Sequence, residues 1–405
     1  KVAGQASLLN DAWDEISIRL LAAGEAYNNF QIQQVQRGGH VSAADKSALG
    51  DKLNHLEESL NYHLAKEYGV DPTKTKTYDK WKISHQPFHW YVDFYPLMVS
   101  GGFDVVVGNP PFVEIRPSNV SYILKGYQTL ACGNLYAPIV ERCAVLANAG
   151  WLGLVTPLSL LCTDRTVALR EVIATQNNWV SSFDMRPGSL FEGVAQRLCI
   201  LISSGGKGGA VTRTAGYRRW SAEERAVLLD IVSFELLLKE QISGANPWPK
   251  VALEAEQTIL RALAGGSVAA HLSKTAPPIY VHRIVRYFIK ALNTPPLFID
   301  AMGNQGKSDD YKVLSIDPEY SDAVVACLNS SIFYWYWRLT SDGFHCGYGD
   351  IYRFPFHGVS LNSHRDEISR LARSLMVDFE KNSLSKSITT KAGKIQYQEF
   401  SPKNA

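Results

Sequence analysis

Apolar residues first recur at helical spacing and later in short runs. Leu9, Trp13, Ile16, Leu20 and Tyr27 fall at steps of four, three, four and seven, which predicts one apolar helix face. After a break at RGGH, Ser42 and Asp45 read as a capping-box start. Leu49, Leu53, Leu56, Leu60 and Leu64 then form a second stripe. Two such helices are expected to pack as an antiparallel hairpin, a packing element without chemistry of its own. The polar connector GVDPTKTKTYDK (69–80) leads into the aromatic-rich HQPFHWYVDFYPLM.

Between 103 and 203 short apolar runs alternate with helical stripes. FDVVVG reads as a short buried strand. NLYAPIVERCAVLANAG (134–150) reads as a helix stopped by Gly150, and WLGLVTP (151–157) as a second buried strand. RTVALREVIATQ (165–176) reads as a helix, with VSSFDM (180–185) and RLCILIS (197–203) as further strands. This alternation predicts an α/β fold with right-handed crossovers and a mainly parallel sheet. The last two strands are joined by about a dozen residues, too few for a comfortable helical crossover, so an antiparallel last strand is expected.

Further on, RTAGYRRWSAEERAVLL (213–229) reads as basic and then helical, DIVSFELLLK (230–239) as an apolar helix and ISGANPWP (242–249) as a linker. From about residue 275 the texture changes to many aromatics, proline pairs and no α/β rhythm, which predicts a separate domain.

Composition narrows the picture. The chain has 405 residues, is 46% hydrophobic and 20% charged, and carries a net charge of +2. That length allows two or three domains with real cores, and nucleic-acid binding requires a local basic patch. Six scattered cysteines form no C-x-x-C pair, which suits reduced thiols in a cytosol better than a disulfide framework. No apolar run approaches the roughly 18 residues of a membrane span, and no signal peptide is visible. The expected compartment is a cytoplasm. The chain begins with Lys1, and is expected to be a piece of something longer. GGKGGA (205–210) lacks the Lys-Ser/Thr of a phosphate loop and reads as a flexible turn. His345 beside Cys346 supplies two ligands, not a metal site, and no metal is expected.

The chemistry concentrates at Asn109-Pro110-Pro111-Phe112, straight after the first strand. In parallel α/β sheets, ligands bind at the carboxyl ends of strands. Two prolines stiffen the turn and remove two backbone donors. Asn109 supplies an acceptor oxygen that does not titrate, and Phe112 a flat apolar face. A planar heterocycle with an exocyclic amine suits such a corner. No general base, metal ligand or nucleophile stands there.

GNPPF after FDVVV resembles the catalytic motif of amino-group DNA methyltransferases, which methylate adenine N6 or cytosine N4. FHW, NLY, GWLGLVTPLSLL, LREVI, FDMRPGSLFEGVAQRLCILI and CLNSSIFYWYWRL follow in the order of bacterial restriction-modification methylases of the Eco57I/TaqI type. The resemblance covers 85–205 well and 275–360 loosely. It implies a partial methyltransferase-like, Rossmann-like α/β sheet with a helical insertion at 1–84, the C-terminal half of the catalytic domain at 85–212, a helical connector at 213–274 and an α+β target-recognition domain at 275–405. It also implies S-adenosylmethionine as cofactor, double-stranded DNA as partner and adenine N6 as the acceptor on a flipped base. Asn109 and the Pro110 carbonyl would accept hydrogen bonds from the base amine, and Phe112 would stack on the base. Asp104, in the strand, is read as structural. Phe191 falls where the family often places a second aromatic; the alternative is a core phenylalanine.

One departure is clear. No strand followed by G-x-G with an acidic residue about 20 further on is found in 1–100. The cofactor-binding half is therefore expected in an upstream part of the same polypeptide, with or without a fused nuclease, and the isolated chain is expected to be inactive.

Candidate DNA contacts lie in the last domain. Arg283, Arg286 and Lys290 recur at steps of three and four between aromatics, predicting one basic helix face. Asn304, Gln305 and Lys307 lie in the polar loop MGNQGKSDDY and are of types that read base edges. A solvated face and an ordinary loop are the alternatives. SSIFYWYWRL (330–339) is read as core packing rather than a stacking surface. Other readings remain: a catalytically inactive DNA-binding module of methylase shape, or a methyltransferase acting on cytosine N4, RNA or protein glutamine.

Overall fold

The computed structural model describes residues 5–36, 42–205, 209–242, 245–285, 288–358, 363–391 and 393–400. Two compact units divide the chain: Lys1–Leu154 with Ser203–Lys207, and Val155–Ile202 with Gly208–Ala405.

The first unit opens with α1 (Gln5–Gln36), α2 (Ala43–Glu67), α3 (Thr75–His85), α4 (Trp90–Asp93) and α5 (Tyr95–Val99). Ser42 caps α2 as its position suggests, its hydroxyl oxygen accepting from the Asp45 amide at 3.1 Å. Leu20, Ala23 and Tyr27 of α1 meet Leu53, Leu56 and Leu60 of α2 around Tyr95, so the two stripes close on each other. The side chains of Leu9 and Trp13 lie outside the description.

β1 (Val105–Gly108), β2 (Trp151–Pro157), β3 (Asn177–Phe183), β4 (Leu198–Ser204), β5 (Thr212–Arg218) and β6 (Glu235–Leu236) form one sheet in the order β1-β2-β4-β3-β5-β6. β1 and β2 run parallel, Val105 opposite Trp151 and Gly108 opposite Leu154, joined through α6 (Tyr136–Ala147). α7 (Ser159–Cys162) and α8 (Val167–Ile173) lead from β2 to β3, and β3 pairs parallel with β5. The Leu158 amide donates to Arg197 and the Gly205 amide to Gly150. The ends of β2 and β4 thus pair crosswise, and β4 is the expected antiparallel strand, set inside the sheet.

Four differences from the sequence reading have physical causes. β1 is a strand but not a buried one: Val105 is 57% and Val107 75% exposed. It forms the end of the sheet order, so only β2 pairs with it. α6 ends at Asn148, which takes the left-handed φ of 45°, two residues before the expected Gly150 stop. Residues 212–218 form a strand, and only a 3-10 turn over Ala222–Val227 follows. Residues 230–234 are irregular and 235–236 are β6, so the apolar helix expected at 230–239 is not formed there.

Gly150 has another task. A Cβ there would stand 2.5 Å from the Phe103 carbonyl oxygen and also press on that of Asp104, at the entry to β1. Gly150→Ala is therefore expected to destabilise by about 1–3 kcal/mol through overpacking, against the few tenths gained where alanine fits. Chemical denaturation measures it; a stabilised variant would contradict the close approach.

Also in the second unit, α9 (Lys239–Ile242) and α10 (Glu254–Leu263) precede β7 (Pro278–His282), β8 (Ala291–Leu292), β9 (Phe298–Ile299) and β10 (Tyr311–Ser315). α11 (Ser321–Leu328), α12 (Ser331–Thr340), α13 (Tyr348–Tyr352), α14 (Arg365–Lys381), β11 (Leu384–Thr390) and β12 (Gly393–Glu399) follow. Two antiparallel sheets form, β10-β7-β8 and β11-β12-β9. The aromatic run of α12 is core, as read: Phe333 and Trp337 are buried with Val324 and Leu328. The expected linker 242–249 is instead fastened at its end. Trp248 is buried and its amide donates to the Leu161 carbonyl at 2.8 Å. Its indole and flanking prolines have apolar surface to bury.

Candidate functional site

The parallel β1–β2 pairing ends at Gly108, and Asn109-Pro110-Pro111-Phe112 leaves the carboxyl end of β1 without regular structure. Two consecutive prolines cannot continue a ladder. Asn109 is exposed and no hydrogen bond ties its carboxamide to another described residue. Pro110 is buried, Pro111 exposed and Phe112 half-buried. The Phe112 ring stands edge-on to that of Tyr136, with centroids 6.2 Å apart and planes at 89°.

The chain beyond the tetrad is anchored to the start of α6. Leu135 donates its amide to the Val113 carbonyl at 2.8 Å, and Ile115 donates to Gly133 at 2.9 Å. Glu114 and Asn134 form an antiparallel bridge. NLY is thus the segment that holds the loop after the tetrad. An accessible neutral acceptor beside a ring fixed by a buried tyrosine can hold a flat amine-bearing group by geometry alone.

The sequence-derived DNA contacts are placed unevenly. Phe191 belongs to the second unit, outside any helix or strand, and is 40% exposed. Arg283 lies 3.4 Å from Asp310 through Nε. Lys290 is half-buried in the connection between β7 and β8, its carbonyl accepting from the His282 amide. Arg286 lies outside the described residues. Among the described residues the basic helix face expected of Arg283, Arg286 and Lys290 is not formed: 278–282 is a strand, Ile279 and Val281 alternate inward, and neither Arg283 nor Lys290 lies in a helix. Period-two burial overrides the charge spacing. Asn304, Gln305 and Lys307 are exposed on the loop that follows β9, as expected. Asp300 orders that loop by accepting from the Asn304 and Met302 amides at 2.9 Å each, and these bonds, that from Asn304 foremost, hold its carboxyl below the usual range.

A charged network at the end of β3 escaped the sequence reading. Asp184, almost wholly buried, accepts from Arg219 Nε at 2.9 Å and stands 3.1 Å from Arg197 Nε. Arg197 also donates to the Tyr217 hydroxyl at 2.8 Å. Burial, foremost, pushes the Tyr217 phenol up. The legible signal was an aspartate closing an apolar strand, matched by arginines in QRL and YRR.

These features define an α/β protein with a proline-stiffened acceptor loop at the carboxyl end of a sheet strand. The family model described as Eco57I restriction-modification methylase matches residues 22–191, a stretch that includes the tetrad. This bears out the resemblance read from the motifs. A Methanocaldococcus jannaschii protein named as a type II restriction enzyme and methyltransferase is 31% identical over 117 residues, 29% of this chain and 10% of that protein. The chain thus spans about a tenth of the curated relative it matches. Among solved structures, a DrdV–DNA complex is similar at 12% identity and TM-score 0.30, covering 39% of this chain and 19% of that one. A nuclease-deletion mutant of the Type ISP restriction-modification enzyme LlaGI, in complex with a DNA substrate mimic, is similar at 12% and 0.31, covering 48% and 18%. Likenesses this slight define no shared arrangement. No helix among the described residues is long and apolar enough to cross a membrane.

Proposed function

We propose that this chain is the acceptor-binding part of a restriction-modification DNA methyltransferase that modifies adenine N6 in a specific duplex site. The observation that carries the reading is the exposed Asn109 carboxamide, bonded to no other described residue, in one tetrad with a buried proline and a braced ring, inside the segment matched by the methylase family. Asn109 Oδ1 and the Pro110 carbonyl accept hydrogen bonds from the two N–H groups of the exocyclic amine, and Phe112 lies against the extruded base. Those contacts turn the amine lone pair away from the ring and toward the attacked methyl group. Catalysis of this kind is positioning and fixed electrostatics.

S-adenosylmethionine is the methyl donor the reading implies. The described residues do not form its cradle: helices, and no strand with a Gly-rich turn, precede β1. Among the described residues β1 stands at the end of the sheet order, and it carries the exposed Val105 and Val107. We assign that edge to further strands of the same polypeptide, since an uncovered apolar edge is a pairing surface. Residues 275–405 are assigned to target recognition. The exposed Asn304, Gln305 and Lys307 are the candidate base readers, Arg283 and Lys290 candidate backbone contacts, and Phe191 a candidate contact by its accessible ring.

Methylation sequencing of DNA from cells expressing the full-length protein tests the assignment. An N6-methyladenine mark at one recurring motif, absent with Asn109→Ala, is expected. A cytosine mark corrects the acceptor, and no mark from the intact protein overturns the reading.

A further inference from the structure

The second unit holds a cavity of about 440 Å³ that the proposed mechanism does not use. It opens beside the ends of β3 and β5, where the ladder shifts register between Val180 and Ser182. Arg218, Arg219 and Arg338 line it with Ser182 and Ser233, and no carboxylate stands among the described lining residues.

These arginines are only partly engaged. Arg219 donates Nε to the buried Asp184, and no hydrogen bond to a described residue engages its terminal nitrogens. Arg218 donates one terminal nitrogen to the Ile231 carbonyl at 3.0 Å. Arg338 donates one to the Tyr217 carbonyl at 3.3 Å, while its Nε is hidden from solvent with no hydrogen-bond partner. The Ser182 hydroxyl is hidden and unpartnered too, in a residue 1% exposed. A guanidinium has five N–H donors, so most of the donor capacity around this hollow is unspent. Buried donors left unsatisfied are costly, and while Arg219 is paired with Asp184, no ion pair among the described residues offsets the charges of Arg218 and Arg338. An anion with several acceptor oxygens relieves both, and planar forks match a phosphoryl group best.

We propose that the Arg218–Arg219–Arg338 cavity binds a phosphoryl group and, resting on the function proposed above, that this group is a backbone phosphodiester of duplex DNA. The site then fixes the register of the duplex without reading its sequence.

The test titrates the full-length protein with duplex DNA over a range of salt, and separately with inorganic phosphate, for the wild type, Arg218→Gln, Arg338→Gln and Ser182→Ala. Each arginine variant is expected to weaken phosphate binding by about tenfold or more and to make the slope of log K against log salt shallower by about one. Ser182→Ala is expected to weaken phosphate a few-fold with the fold intact, which covers the case that Arg338→Gln misfolds. Loss of phosphate binding with an unchanged DNA slope supports the phosphoryl site and overturns its assignment to DNA. Unchanged phosphate binding and slope in folded variants overturn the proposal altogether. If adenine marks persist in that last case, the proposed function stands and only this site falls. Phosphate binding that depends on the arginines, with no mark from the intact protein, does the reverse.

Discussion

Asn109→Ala in the full-length enzyme is expected to lower kcat for methyl transfer by at least about 10²–10³-fold, the loss typical of one well-placed polar group at a developing charge. The amine gains positive charge only as it attacks, so the carboxamide oxygen bonds the transition state more strongly than the resting amine. The change should fall on kcat, with KM for DNA moving little. Asn109 is exposed and unbonded, so folding stability should stay within about 0.5 kcal/mol. That separation makes the variant decisive, because an inactive protein that melts normally has lost chemistry and not structure. Phe112→Ala should reduce both terms, since its ring is half-buried against Tyr136. Phe112→Trp should keep a stacking face and most activity. An Asn109→Ala enzyme within a few-fold of wild-type kcat would remove the carboxamide from the mechanism.

The part of the fold nearest the tetrad was legible because its signals are local. Short apolar runs fixed the positions of β1, β2 and β4, a helical stripe marked α6, and two proline rings had to end β1. Asn134-Leu135-Tyr136 was legible as a motif, but its work of bracing the loop after the tetrad needs the 2.8 Å bond from Leu135 to Val113. β5 was not legible, because its buried positions include Thr212 and Thr214, which satisfy themselves by bonds no hydropathy pattern shows. Thr214 Oγ1 donates to the Pro249 carbonyl, in the segment read as linker. The basic spacing of Arg283, Arg286 and Lys290 was a coincidence of numbers. The competing alternation at Ile279 and Val281 governs backbone geometry, because a strand must bury every second side chain. Charge spacing is a weaker constraint, since exposed charges are satisfied by water in any conformation.

Lys250 carries the largest expected effect on stability. It is fully buried, and Nζ donates to the carbonyls of Leu339 and Ser341 at 2.7 Å each, just where α12 ends. Those carbonyls lie at the end of α12, where helical partners run out, and the ammonium bonds both, beside the Lys250 amide that also donates to Leu339 at 3.0 Å. Lys250→Ala removes both side-chain bonds, leaves the Leu339 carbonyl with the backbone amide of position 250 alone, opens a cavity and is expected to cost about 2–5 kcal/mol. Lys250→Met fills more of the space and should cost less. The charge itself has a pH signature. Burial, foremost, lowers the Lys250 pKa from 10.5 to about 8. Between those values the unfolded chain holds the proton and the folded chain does not. The Lys250 contribution to stability should therefore rise with pH from 8 to 10.5, and that gain is lost as pH falls back toward 8. The whole span corresponds to on the order of 3 kcal/mol. Burial pushes Cys162 and Cys199 from 9.0 up to about 12, so above pH 9 their shifts overlap this window and lower stability as pH rises, whereas Asp350, pushed up to about 6, titrates below it. Denaturant unfolding of wild type and Lys250→Met across that range isolates the contribution, because other titrating groups cancel in the difference. The wild-type advantage over Lys250→Met should grow with pH as the buried amine sheds its charge. A difference that stays flat would mean that the two carbonyl bonds hold the ammonium charged in the interior, and that the helix end is tied by an ion rather than by a neutral amine.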